Sequence, residues 1–398
     1  MFGITFNTTS TIKSSRPPGP KGMPVLGVLP QIFSNPLNTF MENAREYGDI
    51  VALPALHRVV YLLNHPDYIA HVLVNNSQNY RKGRALEATK PFVGNGLLTS
   101  EGDFHRRQRR LIQPAFHRRQ VANFAETMTH LTATHIASWR VGESRDFHSE
   151  MTRLTMSIVV QTLFGSDIVA KNDRLVDSLD QLLTSFTFLD ATPLGLRLSR
   201  LPTPRQLKRR ALLRDLDQAI YEFIEQGENS QIDDNNLLSM LLAARDNQGD
   251  ETGMSQRQIR DEVMTLFIAG HETTANAITW AFYLLDQHPE ISDRLQGELS
   301  TVLQGRLPNF EDIPSLNYTR MVFSEAMRLY PPAWGIGRTA INDDTIGRYP
   351  IPAGSTVVVS PWVMHHHPDY WAQPEQFRPE RFSPEQPKAP RYVYFPFG

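Results

Sequence analysis

The stretch that decides the fold reads Ala269-Gly270-His271-Glu272-Thr273-Thr274 and interrupts a long apolar segment. Residues 256–287 contain no proline, so the sequence predicts one continuous helix from Gln256 to Gln287. The run before His271 is apolar on nearly every side, which predicts a buried helix. A glycine in a helix interior costs about 1 kcal/mol relative to alanine, and a buried carboxylate costs more unless it has a partner. Two unfavourable features at one point indicate a functional site.

Two other interpretations of this stretch receive less support. The helix could end here, with Gly270 as its C-terminal cap and Glu272 on the surface, but the apolar periodicity resumes at once with Ala277. His271 and Glu272 also begin the zincin motif, in which a second histidine would occupy position 275. That position is Ala275, so a zinc hydrolase is not supported.

The composition excludes several classes of protein. The chain has 398 residues, of which 40 are Lys or Arg and 42 are Asp or Glu, giving a net charge of −2. This balance argues against bulk binding to nucleic acid. Cysteine is absent, which excludes a disulfide scaffold, an iron–sulfur site and a cysteine nucleophile in these residues. No apolar run is long enough for a secretory signal or a membrane span, so we expect a cytoplasmic protein.

The distribution of proline predicts the fold class. Residues 101–300 contain five prolines and leave room for long helices, whereas residues 331–398 contain twelve. We expect a mainly α structure with minor β-sheets (α+β) after an unstructured segment 1–16. A hairpin is predicted within residues 51–63, with a helix beginning near Pro66. A second small set of strands is predicted at residues 339–341, 349–351 and 356–360.

Two charged segments predict specific contacts. Glu325 and Arg328 are three residues apart on one helix face, and Arg381 in the proline-rich region can complete a Glu–Arg–Arg cluster. Residues 101–114 form a basic stretch in which His105 and Arg109 share one helix face. This stretch could be a solvated face, a nucleic-acid contact, or a helix that binds an anionic ligand on one face and an acidic protein on the other. The absence of any nucleic-acid motif disfavours the second interpretation.

Taken together, these features resemble those of the cytochrome P450 family, the haem-thiolate monooxygenases. Six fragments occur in the family's order across nearly the whole chain: Pro17-Pro18-Gly19-Pro20, the basic helix with His105 and Arg109, the stretch 269–274, Glu325-x-x-Arg328 followed by Arg338, Pro379-Glu380-Arg381-Phe382, and Tyr394-Phe395-Pro396-Phe397-Gly398. Each fragment alone is weak, but six in register are specific.

The resemblance implies a single cytochrome P450 domain over residues 17–398, with haem b as cofactor and O2 as co-substrate. Glu272 and Thr273 would be the acid–alcohol pair that delivers protons during oxygen activation. Glu325, Arg328 and Arg381 would form the structural triad. The residues that would bind the cofactor are His105, Arg109, Ala269, Gly270, Arg338, Phe397 and Gly398.

The resemblance also implies that these 398 residues stop within the haem-binding loop. Phe397 and Gly398 match its first two residues, and the cysteine ligand is expected about six positions beyond Gly398. No metal ligand is therefore expected in this chain, and we expect the C-terminal loop, last helix and last strands to be missing. His365, His366 and His367 are not expected to replace the thiolate. The alternative is an inactive, truncated pseudoenzyme or a haem-free binder of apolar ligands.

The resemblance places an apolar substrate pocket and a separate electron donor. The predicted pocket residues are Phe92, Leu97, Phe186, Phe188, Phe267, Trp334 and Ile336, which suit a fatty acid, a terpenoid or an aromatic molecule. Electrons would come from a ferredoxin or a flavodoxin. Its expected contacts are Arg106, Arg107, Arg110, Arg118 and Arg119. We expect a monomer with no membrane span and no nucleic-acid partner.

Overall fold

The computed structural model describes residues 16–56, 58–165, 181, 185, 201–229, 236–246 and 252–397. Phe186, Phe188, Gly398 and residues 1–15 of the expected N-terminal segment lie outside these ranges. The α-helices are α1 (Leu29–Ser34), α2 (Pro36–Tyr47), α3 (Pro66–Ala70), α4 (Arg84–Glu87), α5 (Lys90–Val93), α6 (Gly102–Ile112), α7 (Arg118–Ala137), α8 (Phe147–Phe164), α9 (Pro204–Asn229), α10 (Leu237–Ala243), α11 (Gln256–Gln287), α12 (Pro289–Leu303), α13 (Asn317–Leu329) and α14 (Pro361–His365). The predicted α-rich fold class with small sheets is confirmed.

The strands form one five-stranded sheet and one two-stranded ladder. They are β1 (Ile50–Ala55), β2 (Arg58–Leu63), β3 (Tyr80–Lys82), β4 (Ile336–Ala340), β5 (Asp344–Ile346), β6 (Tyr349–Ile351) and β7 (Thr356–Val359). The large sheet has the order β1-β2-β7-β4-β3, in which β2 and β7 are parallel and the other neighbours are antiparallel.

This topology confirms the predicted β1–β2 hairpin, and the three further predicted strands are present as β4, β6 and β7. Strands β4 and β7 belong to the same sheet as the hairpin, whereas β6 pairs with β5. The sequence did not predict this single sheet, because the parallel pairing of β2 with β7 joins distant parts of the chain without a local turn signal.

The predicted helix from Gln256 to Gln287 is confirmed as α11 with the same bounds. It begins with a capping box, in which the Ser255 and Gln258 side chains each accept the other residue's backbone N–H. Pro289 begins the next helix, which ends the run. None of the helices in the described ranges is both long and apolar enough to cross a bilayer.

Helix α11 packs closely on α8 through the unusual stretch itself. A Cβ added at Gly270 would lie 3.0 Å from a methyl group of Val159, so glycine permits the close approach of the two helices. Thr155 of α8 donates its hydroxyl to the carbonyl of the buried His271 at 3.0 Å. The helix does not end at Gly270, but Glu272 and Thr273 are exposed. Protein atoms therefore do not cover the Glu272 carboxylate, although His271 beside it is buried.

The predicted Glu–Arg–Arg cluster joins α13 to the proline-rich segment. Arg328 donates to both carboxylate oxygens of Glu325, at 2.7 and 2.8 Å, and both side chains are fully buried. Arg381 donates to Glu325 Oε1 at 3.1 Å, and the backbone N–H of Arg378 donates to the same oxygen at 3.0 Å. The remaining Arg328 donors reach the carbonyls of His365 and Gln376. One buried ion pair thus fixes residues 365–381, which have little regular structure of their own.

Replacing Glu325 by glutamine will destabilise the fold strongly, because it leaves the buried Arg328 guanidinium without a counter-charge. We expect the free energy of unfolding to fall by about 3–5 kcal/mol in a denaturant titration. The matched control is Arg45→Gln, which breaks an exposed pair with Glu375 (3.2 Å) and should cost about 0–1 kcal/mol. Equal losses in the two variants would contradict this role of the buried pair.

Candidate functional site

Two cationic side chains and a histidine converge where β3, β4 and α6 meet. Lys82 and Arg338 are directly opposite each other in the antiparallel β3–β4 pair, so both side chains lie on one face of the sheet. The Lys82 ammonium lies 3.4 Å from Nδ1 of His105, and Ser100 Oγ lies 3.2 Å from the same nitrogen. Glu101 is the carboxylate beside them and accepts the backbone N–H of Lys82. We refer to Lys82, His105 and Arg338 as the cation cluster.

The cation cluster places the charges of Lys82 and Arg338 close together beside the carboxylate of Glu101. Burial lowers the pKa of Lys82 to about 8 and also lowers the pKa of His105 and of Arg338. The one hydrogen bond recorded for the Arg338 side chain, within the described part of the chain, goes to the carbonyl of Gly337 at 3.0 Å. Like charges directly opposite in a sheet are destabilising. The arrangement therefore fits an anionic group such as the carboxylates of haem.

The sequence interpretation named His105, Arg109 and Arg338 for this role but missed Lys82. Arg109 follows His105 by four residues on α6 and has an exposed side chain. Lys82 lies on a strand of only three residues, and its importance depends on the register that sets it opposite Arg338. The one sequence signal was a lysine shortly before the basic stretch, which is too common to be diagnostic.

The opposite side of α6 is used inside the molecule. Arg110 donates to Asp246 at 2.8 Å, and Arg107 donates to the hydroxyl of Thr252 at 2.6 Å. The Asp246 side chain is buried. These two arginines attach α6 to the segment before α11, whereas Arg118 and Arg119 are exposed. Arg107 and Arg110 therefore have partners within the chain, although Arg110 remains exposed, as does Arg106.

The central stretch of α11 presents two hydroxyl groups along one side of the helix. Thr273 Oγ1 donates to the carbonyl of Ala269 at 2.6 Å, and Thr274 Oγ1 donates to the carbonyl of Gly270 at 2.7 Å. Ala269, Glu272 and Thr273 are all exposed. A hydroxyl bound to a carbonyl four residues earlier competes with the helix's own hydrogen bonds and favours a local bend. An exposed carboxylate next to such a hydroxyl can exchange protons with solvent.

The predicted pocket residues divide among different parts of the core. Leu97 packs against the cluster that contains the buried Phe267. Phe92 lies at the end of the short helix α5, and its carbonyl accepts a hydrogen bond from Arg260 at 3.2 Å. Trp334 packs instead near Phe40, with 5.9 Å between ring centroids. Ile336 belongs to the sheet-side cluster. Leu97 and Phe267 are therefore the two predicted pocket residues that belong to the same apolar cluster.

The histidines before the proline-rich segment have structural partners. His365 Nε2 accepts the backbone N–H of the buried Phe395 at 3.0 Å, and burial lowers the pKa of His365 to about 3. His366 Nδ1 lies 2.8 Å from the carbonyl of Trp362. Phe397, at the end of the described chain, is 85% exposed. No group of three potential metal ligands occurs among the described His, Asp and Glu residues.

Comparison with known proteins identifies one family for this chain. The family model described as cytochrome P450 matches residues 17–398. Cyclooctatin synthase from Streptomyces melanosporofaciens is 38% identical, over 95% of this chain and 83% of the relative. Cyclooctat-9-en-7-ol 5-monooxygenase from the same organism is 34% identical, over 97% of this chain and 85% of the relative.

A solved structure supports the same fold. The structure described as retinoic acid bound cyanobacterial CYP120A1 superimposes with a TM-score of 0.85, covering 96% of this chain and 86% of that chain at 24% identity. The family's cofactor is haem iron and its co-substrate is O2. The chain therefore belongs to the cytochrome P450 family and is an oxidoreductase of the monooxygenase type.

Proposed function

We propose that this protein hydroxylates a terpenoid, using O2 and electrons from a separate ferredoxin or flavodoxin. The main observation behind the proposal is the cation cluster of Lys82, His105 and Arg338, whose positive charge suits the haem carboxylates. The terpenoid class is supported by the name of one relative, which specifies a monooxygenase acting on cyclooctat-9-en-7-ol, a largely apolar terpenoid alcohol. Leu97 and Phe267 supply apolar contacts of the kind that such a molecule requires.

In this proposal the chain's own residues bind the cofactor, orient the substrate and move protons. His105, Arg109 and Arg338 would hold the carboxylates, with the Lys82 ammonium as a nearby positive charge, and haem when bound would supply the activation of O2. The Thr273 hydroxyl, which donates to the Ala269 carbonyl, would supply a proton during the reaction, and Glu272 would pass a replacement proton to it. The triad of Glu325, Arg328 and Arg381 fixes the segment that leads to Phe397 and Gly398.

The 398 residues do not supply the thiolate or the electron donor. They contain no cysteine, so none of them can be the thiolate ligand that haem of this family requires. The donor contacts the exposed Arg118 and Arg119 through acidic side chains. We further propose that the protein acts as a monomer in the cytoplasm.

The function is tested with protein expressed from its complete reading frame. We expect the reduced carbon-monoxide complex to show the Soret band typical of thiolate ligation. With a ferredoxin and its reductase, cyclooctat-9-en-7-ol should give a hydroxylated product, whereas a saturated fatty acid and an aromatic hydrocarbon should give much less. Formation of a product from the fatty acid but not from cyclooctat-9-en-7-ol would refute the terpenoid class. Absence of bound haem would favour the alternative, an inactive pseudoenzyme or a haem-free binder of apolar ligands.

Replacing Thr273 by alanine should uncouple oxygen consumption from product formation by about tenfold or more, because the proton-donating hydroxyl is lost. The ratio of product formed to O2 consumed measures this effect. Thr274→Ala is the matched control, since Thr274 is also exposed and also donates to a carbonyl four residues earlier. Equal coupling in the two variants would remove the special role of Thr273.

A further inference from the structure

The loop of residues 94–100, here called the pocket loop, is held against α11 by two adjacent carboxylates. The backbone N–H of Asn95 donates to Asp261 and that of Leu97 donates to Glu262, each at 2.8 Å. Between them, a Cβ added at Gly96 would lie 2.3 Å from Thr265 Oγ1 and 2.5 Å from the Asp261 carbonyl oxygen. The loop backbone therefore touches the helix directly, and no side chain separates them.

The Leu97 peptide is held from both sides. Its N–H donates to Glu262, which is fully buried, and its carbonyl accepts the Lys82 ammonium at 2.8 Å. Lys82 also donates to the carbonyl of Ser100, so one lysine binds the middle and the end of the pocket loop. The other oxygen of Glu262 accepts the side-chain N–H of the buried Gln108 on α6 at 2.9 Å. Glu262 thus joins α11, α6 and the pocket loop.

The surroundings of Glu262 indicate which substitution preserves this arrangement. Burial raises the pKa of Glu262 to about 7, against the opposing effects of the Leu97 and Gln108 hydrogen bonds, with Asp261 and Lys82 as the charged neighbours. The site therefore already admits the neutral carboxyl near neutral pH. The side-chain oxygen of Gln108 is buried and has no hydrogen-bond partner among the residues that the structure describes. A glutamine at position 262 can accept from Leu97 and donate to that oxygen, whereas a leucine can do neither.

We propose that Glu262 is a positioning residue for the substrate: by holding the Leu97 peptide, it sets the distance between the pocket loop and Phe267. Leu97 packs in the same cluster as Phe267, so a loosened loop changes the space available to a bulky ligand. A ligand too small to touch Leu97 is unaffected. This inference rests on the proposed function, because it assumes that Leu97 and Phe267 line the substrate pocket.

The first measurement is backbone amide hydrogen exchange of the pocket loop in protein from the complete reading frame, read by mass spectrometry of peptides covering residues 94–100. In Glu262→Leu we expect protection of the loop to fall by about tenfold or more. In Glu262→Gln it should stay within about threefold of wild type. The control is Glu298→Leu, which removes a carboxylate bound to the N–H groups of Tyr318 and Thr319, at the start of α13.

The second measurement compares two haem ligands of different size, 4-phenylimidazole and imidazole, by spectral titration. Glu262→Leu should weaken 4-phenylimidazole about fivefold or more relative to imidazole, and Glu262→Gln should restore the wild-type ratio. The proposal is overturned if Glu262→Leu leaves the exchange protection of the pocket loop unchanged. It is also overturned if protection falls while the ratio of the 4-phenylimidazole and imidazole affinities keeps its wild-type value. If wild-type protein retained no haem, the proposed function would fail, while the exchange comparison would still decide whether Glu262 holds the loop.

Discussion

The ion pair between Glu325 and Arg328 is the interaction on which the rest of this structure depends. Both side chains are fully buried, and the pair is bidentate. Removing two charges from water is costly, and here the cost is offset because the remaining polar atoms also have partners. Those partners are Arg381, the backbone N–H of Arg378 and two carbonyls, all contributed by residues 365–381. The segment's own backbone hydrogen bonds are local turns, such as Trp371 N–H to the His367 carbonyl and Gln376 N–H to the Gln373 carbonyl. The ion pair connects these turns to α13, and the His365 ring accepts the backbone N–H of Phe395.

The proposed cofactor site has a different charge arrangement. Lys82 and Arg338 lie opposite each other beside His105, and burial lowers the pKa of all three. We propose that the haem carboxylates supply the anions that complete this cluster. Lys82 also donates to the carbonyls of Leu97 and Ser100, so the same side chain contacts the proposed cofactor site and the pocket loop. In this proposal, cofactor binding and pocket shape are connected through one strand of three residues.

The sequence allowed some of these features to be predicted because their signals are local. The bounds of α11 follow from the proline-free run between Ser255 and Pro289 and from the capping box at its start. The Glu325–Arg328 contact follows from a spacing of three residues on a helix. Features that depend on long-range packing could not be predicted in the same way. The parallel pairing of β2 with β7, the position of Lys82 opposite Arg338, and the use of Arg107 and Arg110 by the segment before α11 all join distant parts of the chain.

We propose that the cation cluster holds the carboxylates of haem, while Glu325 and Arg328 fix residues 365–381. A crystal structure of the haem-loaded protein, expressed from its complete reading frame, tests this most directly. The account predicts both haem carboxylates within hydrogen-bond distance of Lys82, His105, Arg109 or Arg338, with the Glu325–Arg328 pair unchanged. Haem bound with its carboxylates directed away from all four cations would contradict it.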